Sequence, residues 1–133
     1  MFNIGRQGAA HIVSEFGMYT LLLRCRDAKE PVVISAGIRN DLKRQMLEAS
    51  RPHLLRIQGP NCLGLLSPHL GLNASFAHAD ALPGDVAFVS QSGALVTAVL
   101  DWTRSHGVGL SHLISLGDHA DVDFGDLLDH LAN

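Results

Sequence analysis

The sequence is poor in charged residues, aromatic residues and cysteine. Of its 133 residues, 17% are charged and 5% are aromatic, and the formal net charge is −3 at pH 7. A protein without a basic surface and with few rings for base stacking is not expected to bind nucleic acid. The same charge balance gives no attraction to an acidic membrane surface.

Long apolar runs are missing as well. No run approaches the roughly 20 residues of a membrane span, and residues 1–10 lack the charged and apolar regions of a secretory signal. We therefore expect a cytoplasmic protein with no membrane partner. The two cysteines, Cys25 and Cys62, form neither a CxxC pair nor a metal-binding spacing. A disulfide between them is unsupported, because such bridges are rare in the cytosol.

The apolar residues that are present fall into short runs separated by helical patterns. Each run is bounded by glycine, proline or polar residues, which is typical of buried strands. The alternation of strands and helices predicts an α/β fold with a mostly parallel sheet. The predicted strands are 31–36, 54–58, 86–89 and 112–116, and the predicted helices are 41–50, 93–105 and 124–131, the last with Asp123 as N-cap.

Two regions depart from this rhythm. Residues 59–85 are rich in glycine and proline and are too long for a simple turn, so we interpret them as a functional loop and an extended connection. A boundary near Pro83-Gly84 would divide the chain into 28–83 and 84–133. Residues 1–27 are expected to form a separate helical segment, with an amphipathic pattern that Gly17 interrupts.

The predicted strand at 86–89 runs into the sequence Ser90-Gln91-Ser92-Gly93 and then into an apolar helix. Small residues at this point would let an anion approach the free backbone N–H groups and the positive end of the helix dipole. We call Ser90, Ser92, Gly93 and Ala94 the phosphate seat. The alternative is a turn in which Ser92 only caps the helix. The stretch is neither a Walker A loop nor a GxSxG elbow.

Three longer motifs follow one another in the chain. They are GPNCLGLLSPHLGLNASFA (59–77), PGDVAFVSQSGALVTAVLDW (83–102) and SLGDHADVDFGDLLDHLAN (115–133). Together with VVISAGI (32–38) they resemble the NDP-forming acyl-CoA synthetases, relatives of the succinyl-CoA synthetase α subunit. The sequence of these motifs most resembles that of two-part proteins in which this region is fused to a GNAT acetyltransferase domain.

The resemblance implies a Rossmann-like CoA-binding domain ending near residue 83, followed by the start of a flavodoxin-like domain. It implies that the phosphate seat holds a phosphoryl group and that four residues lie near the end of bound CoA: Gly59, Pro60, Asn61 and Cys62. Further implied partners are an ATP-grasp domain or subunit and a GNAT domain. ATP or ADP with magnesium would act only in the complete enzyme.

In that family the phosphohistidine loop follows the region matched here, so no residue of this chain is expected to be catalytic and the chain alone should not turn over. None of the eight histidines lies at the phosphohistidine position, and we interpret them as surface or structural residues. Two other functions stay open. The chain could be an acetyl-CoA-sensing region of a protein lysine acetyltransferase, or a non-catalytic interaction domain.

Three weaker motifs have competing interpretations. The glycines in NIGRQGAAHIV (3–13) could form a phosphate loop, but no apolar strand precedes them. Asp118, Asp121 and Asp123 could bind a metal, although they fail the EF-hand spacing and fit acidic residues beside a helix N-terminus better. Cys62 could be a nucleophile, but without a visible base it is better explained as a packed or CoA-adjacent thiol.

Overall fold

The computed structural model describes residues 11–15, 18–24 and 29–132. These residues form seven strands and three α-helices. The strands are β1 (His11–Glu15), β2 (Met18–Arg24), β3 (Lys29–Val33), β4 (Gly64–Ser67), β5 (Leu72–Ser75), β6 (Pro83–Ser90) and β7 (Leu110–Ser115), and the helices are α1 (Asn40–Ser50), α2 (Gly93–Ser105) and α3 (Phe124–Leu131).

The first three strands form an antiparallel sheet in the order β1-β2-β3. Ile12 pairs with Leu21, and Leu21 pairs in turn with Val32. The predicted helix over 1–27 is therefore wrong for 11–15 and 18–24. The segment contains β-branched and aromatic residues that favour strands, and ladder pairing outweighs a weak helical periodicity. The rest of that helix, and residues 3–10 of the NIGRQGAAHIV motif, lie outside the described residues.

The second sheet has the order β5-β4-β7-β6. Strands β6 and β7 are parallel and are joined by α2, whereas β4 is antiparallel to both β5 and β7. The α/β class is confirmed, but the sheet is mixed and not mostly parallel. The difference comes from the β4–β5 hairpin, whose four-residue strands were hidden in the glycine- and proline-rich region 59–85.

The predicted strand 54–58 is wrong over most of its length. Leu54 has a positive φ of 52° and ends a short 3-10 turn, so the run begins in a bend. Only its end is extended. Gln58 forms a parallel bridge with Val32, through bonds from Val33 N–H to the Gln58 carbonyl (2.9 Å) and from Gln58 N–H to the Pro31 carbonyl (3.1 Å). The chain thus runs strand, α1, extended segment, as in a βαβ unit.

The three predicted helices are confirmed. Helix α2 begins after Ser92, and α3 begins after Asp123, whose carboxylate accepts a hydrogen bond from Asp126 N–H while Asp126 bonds back to the Asp123 N–H. This reciprocal capping box satisfies two backbone donors that a helix start leaves free.

The core lies between α2 and the second sheet. Its buried residues include Leu66, Val96, Leu100, Leu110 and Leu113. The apolar spacing of α2 predicts a buried face made of Ala94, Leu95, Ala98, Val99 and Trp102, and the prediction is wrong for most of these residues. The buried residues of this helix are Val96, Leu100 and Thr103, whereas Leu95 is 50% exposed and Trp102 is 55% exposed. Because α2 is apolar nearly all round, periodicity alone could not decide which face meets the sheet.

Strand β6 lies at one edge of the second sheet, with Val86 55% exposed. The same sheet contains strands from both sides of Pro83-Gly84, so hydrogen bonding is continuous across the predicted domain boundary, which stays a prediction. Across 11–15, 18–24 and 29–132, none of the helices has both the length and the apolar character needed to cross a membrane.

Candidate functional site

Three short segments meet beyond the carboxyl ends of β6, β7 and the extended segment at Gln58. We call them the Ser90 turn (90–93), the Asp118 loop (117–120) and the Pro60 loop (59–62). The carboxyl ends of parallel strands are where open α/β sheets bind ligands. The fold therefore brings the two predicted site segments, 90–94 and 59–62, to one edge.

Backbone hydrogen bonds hold the Asp118 loop against the Ser90 turn. The N–H of Leu116 donates to the Ser90 carbonyl at 2.8 Å, and the N–H of Gly117 donates to the Gln91 carbonyl at 3.2 Å. These bonds continue the parallel pairing of β6 with β7 for two residues past the strands. The turn that bears the phosphate seat is therefore fixed to its neighbour by main-chain atoms.

The Asp118 loop is bonded in the same way to the Pro60 loop. Asp118 N–H donates to the Pro60 carbonyl at 2.8 Å, and Ala120 N–H donates to the Gly59 carbonyl at 3.0 Å. On the other side, Asn61 N–H donates to the Ser35 carbonyl at 2.9 Å, just past the end of β3. The Asp118 loop is thus the physical link between the phosphate seat and the four residues predicted to lie near CoA.

At the phosphate seat, the serines bond to the backbone of the turn itself. The hydroxyl oxygen of Ser92 accepts from Leu95 N–H at 3.2 Å, and that of Ser90 accepts from Ser92 N–H at 3.1 Å. Capping by Ser92 is therefore confirmed. Within the described part of the chain, the N–H groups of Gly93 and Ala94 donate to no protein acceptor. Capping and anion binding are compatible here, because they use different N–H groups.

Gly93 also places the start of α2 beside the Pro60 loop. A Cβ built on Gly93 would lie 3.4 Å from Leu63 Cβ and 3.8 Å from Ser115 Oγ, which is ordinary van der Waals contact. The missing side chain of Gly93 would thus point toward the protein. Among the seat residues, Ala94 is exposed and Ser90 is half-buried, so the seat is open to solvent.

The Pro60 loop is mostly interior. Gly59, Pro60 and Cys62 are buried, and only Asn61 is exposed. The Cys62 thiol lies 3.3 Å from the Val33 carbonyl, to which it donates, and burial raises its pKa to about 12. A thiol with that pKa holds almost no thiolate at neutral pH, so the arrangement supports the packed thiol and not the nucleophile.

The acidic residues of 118–126 are engaged with protein groups. Asp118 pairs with Lys43 at 2.5 Å, and Asp121 accepts a bond from Ile57 N–H at 2.7 Å. Arg56 joins Asp121 and Asp126, with contacts of 3.0 and 2.7 Å. Among the residues that the structure describes, no group of three histidine, cysteine or carboxylate side chains could hold a metal ion. The carboxylates serve as a cap and as bridges between segments.

Most histidines lie on the surface, as the sequence suggested. Among the seven histidines from His53 to His130, only His112 is half-buried, and burial lowers its pKa. The remaining six are exposed: His53, His69, His78, His106, His119 and His130. His119 belongs to the Asp118 loop and has a positive φ of 39°.

Sequence reasoning missed three polar residues that build the site. Gln58 is buried, and its amide donates to the carbonyls of Gly64 (3.2 Å) and Ser115 (2.7 Å). Ser115 is fully buried, and its hydroxyl accepts from the Leu63 N–H. Both are isolated polar residues in apolar runs, a signal that could have revealed them. Lys43 contacts Asp118 across 75 residues, and no local pattern indicates that pairing.

Comparison with known proteins gives the geometry a context. Residues 83–133 match the family described as the succinyl-CoA ligase-like flavodoxin domain. An ADP-forming acetate–CoA ligase I of Archaeoglobus fulgidus is 39% identical over 113 residues, which cover 80% of this chain and 16% of that protein. The α subunit of an ADP-forming acetate–CoA ligase II of Pyrococcus furiosus is 38% identical, with 84% of this chain and 26% of the subunit covered.

A solved structure shows the same arrangement of the backbone. It is a dinucleotide-forming acetyl-coenzyme A synthetase 1 from Ca. Korarchaeum cryptofilum in complex with phosphate and ADP, with a TM-score of 0.71 and 38% identity. The match covers 75% of this chain and 22% of that one. The chain thus spans between about a sixth and a quarter of the length of these relatives.

Proposed function

We propose that this chain, whose residues 83–133 belong to the family of succinyl-CoA ligase-like flavodoxin domains, contributes the CoA- and phosphate-binding edge of an ADP-forming acyl-CoA synthetase. The observation that carries the proposal is the junction of three segments, in which the Asp118 loop bonds to both the Ser90 turn and the Pro60 loop. A reaction between an acyl phosphate and CoA needs both ligands at one place, and this edge offers two adjacent surfaces.

For the phosphate, the proposed ligands are the N–H groups of Gly93 and Ala94 and the hydroxyls of Ser90 and Ser92. The fit rests on two backbone donors at the positive end of a 13-residue helix that have no protein acceptor in the described ranges. The residues present therefore suit an oxyanion.

For CoA, the proposed side-chain contact is made by one of the four predicted residues, Asn61. Asn61 is the exposed member of the Pro60 loop, and its amide is held by the Asp118 carboxylate at 3.1 Å. Gly59, Pro60 and Cys62 would shape the backbone under the ligand without offering side-chain contacts. A contribution of ATP or ADP with magnesium, and an ATP-grasp or GNAT partner, would belong to the complete enzyme in the cytoplasm.

The test places a carboxylate in the phosphate seat without harming the helix. Ala94 is exposed in the first turn of α2, where an acidic side chain favours the helix dipole. Ala94→Asp should therefore keep the unfolding midpoint but repel phosphate. Ala98→Asp, one turn later and also exposed, is the matched control.

Thermal unfolding is measured with and without inorganic phosphate at constant ionic strength, and again with CoA. A ligand that binds the folded state raises the midpoint by mass action. We expect phosphate to raise the midpoint of the unmodified chain and of Ala98→Asp, and to leave Ala94→Asp unchanged. A chain indifferent to both phosphate and CoA would refute the proposed function, and an equal phosphate response in both variants would refute this seat.

A further inference from the structure

The ion pair with the shortest distance at the site joins two distant parts of the chain. Lys43 of α1 and Asp118 of the Asp118 loop lie 2.5 Å apart, with side-chain exposures of 21% and 30%. The second oxygen of the same carboxylate accepts from the Asn61 amide at 3.1 Å. Both oxygens of Asp118 are therefore occupied by groups from segments that lie 57 and 75 residues away in the sequence.

Asp118 is ionised at neutral pH. The hydrogen bond from Lys43 lowers its pKa most, and the hydrogen bond from Asn61 lowers it further. Its loop and the preceding Leu116 are bonded to the Ser90 turn, because the N–H groups of Leu116 and Gly117 donate to the carbonyls of Ser90 and Gln91. A negative charge thus lies on a segment that is bonded to the turn bearing the phosphate seat, and this charge would oppose the binding of an anion there.

Lys43 is the cation that offsets this charge. It is the last lysine of the sequence. In the described part of the chain, the side chain of Arg56 is committed to Asp121 and Asp126. Arg44 on α1 is directed at Glu48, with a longer contact of 3.9 Å. Among the described residues, Lys43 is the cation that forms a salt bridge with Asp118, and the electrostatic effect of His119 on Asp118 is smaller.

We propose that Lys43 and Asp118 act as a positioning pair: Asp118 orients the Asn61 amide, and Lys43 neutralises Asp118 so that the neighbouring seat still accepts an anionic ligand. The proposal deepens the proposed function and rests on it. It assigns a role in ligand affinity to Lys43, a residue of α1 that lies outside every sequence motif of the site. It also predicts effects of opposite sign for the two members of the pair.

Loss of the cation should weaken phosphate binding, and loss of the anion should strengthen it. Lys43→Met keeps the length of the side chain and leaves Asp118 uncompensated. Asp118→Asn keeps an oxygen that can accept from Asn61 and leaves the Lys43 ammonium unpaired. We expect changes on the order of threefold to tenfold in Kd, upward for Lys43→Met and downward for Asp118→Asn. The double variant should bind nearly as the unmodified chain does.

The experiment is calorimetric titration of the full chain and the three variants with inorganic phosphate, at low and at high salt. Unfolding midpoints are recorded in parallel to verify that each variant folds. Opposite shifts in Kd, recovery in the double variant and smaller effects at high salt would support the pair. Arg44→Met, on the exposed side of α1, is the control for a change of net charge alone.

The outcomes separate the two proposals. Weaker binding in both single variants without recovery in the double variant would mean a purely structural contact and would overturn the inference. Unchanged affinities in all three variants, with phosphate still bound, would overturn it as well. If the unmodified chain binds neither phosphate nor CoA, the proposed function falls, and this inference falls with it.

Discussion

The hydroxyl of Ser115, the last residue of β7, accepts a hydrogen bond from the backbone N–H of Leu63 at 3.0 Å. Ser115 is fully buried and Leu63 is 4% exposed. This one bond connects the end of β7, an inner strand of the second sheet, to the chain that leaves the Pro60 loop. It also lies beneath Gly93, so it supports the start of α2 as well.

Removing that hydroxyl should destabilise the protein. Ser115→Ala leaves the buried Leu63 N–H without an acceptor, which costs about 1–3 kcal/mol of unfolding free energy. Chemical denaturation measures the loss. Ser111→Ala, the same substitution at a half-buried position of the same strand, should change the unfolding free energy by less than about 0.5 kcal/mol. Equal losses in the two variants would contradict a special role for Ser115.

Gly117 should tolerate no side chain. Its φ is +59°, and a Cβ there would collide with the carbonyl oxygens of Pro60 and Asn61. Gly107 has a φ of +65° but open space around it. Both glycine-to-alanine variants carry the left-handed backbone cost of roughly 1–2 kcal/mol, and only Gly117→Ala adds the collision.

Comparing the two variants separates the cost of the left-handed backbone conformation from the displacement of the Pro60 loop by the added side chain. We expect Gly117→Ala to unfold at lower denaturant concentration than Gly107→Ala and to lose the response to CoA. Thermal unfolding with and without CoA measures both effects. If Gly107→Ala loses the CoA response equally, the Asp118 loop is not what holds the Pro60 loop in its binding position.

Cys62 should resist alkylation in the folded chain. Its pKa of about 12 keeps the thiol protonated at pH 8, and the thiolate is the reactive form. Treatment with iodoacetamide followed by peptide mass spectrometry should find Cys62 unmodified in buffer and modified in denaturant. Rapid modification in buffer would show that the thiol is exposed or activated, and would revive the nucleophile hypothesis.

Acid should weaken the contact between α1 and the Asp118 loop. Because the folded pKa of Asp118 lies below its unfolded value, its contribution to stability is present above about pH 4 and is lost as the pH falls through the folded pKa. The difference in unfolding free energy between the unmodified chain and Asp118→Asn should therefore be constant near neutrality and shrink in acid. A difference that grows in acid would contradict the assigned direction.

Local signals predicted the local elements well. Apolar spacing, helix caps and glycines at element ends predict three helices and two strands. These are the helices at 40–50, 93–105 and 124–131 and the strands containing 86–89 and 112–115. The predictions failed where tertiary pairing decides. The β4–β5 hairpin has strands of four residues, too short for a periodic pattern.

The site was predictable only where local sequence determines its structure. The Ser90 turn follows an apolar strand and begins a helix at a serine cap, and both features are visible in the local sequence. The contacts of Gln58, Ser115 and Lys43 are made between residues far apart in the chain, and a single sequence gives no register for them. The buried face of α2 was also decided by the sheet, which selects Val96 and Leu100 over Leu95 and Trp102.

The three site segments are joined to one another by main-chain hydrogen bonds. This affects which substitutions the site can accept during evolution. Since the bonds at Gly59, Pro60, Gln91 and Asp118 use main-chain carbonyl and N–H groups, exchanging an exposed side chain such as that of Asn61 or His119 does not itself remove any of them. Surface substitutions can then change which ligand binds, while the hydrogen-bonded backbone of the three segments stays the same. Such a site can change its ligand preference one side chain at a time, while each intermediate sequence still folds.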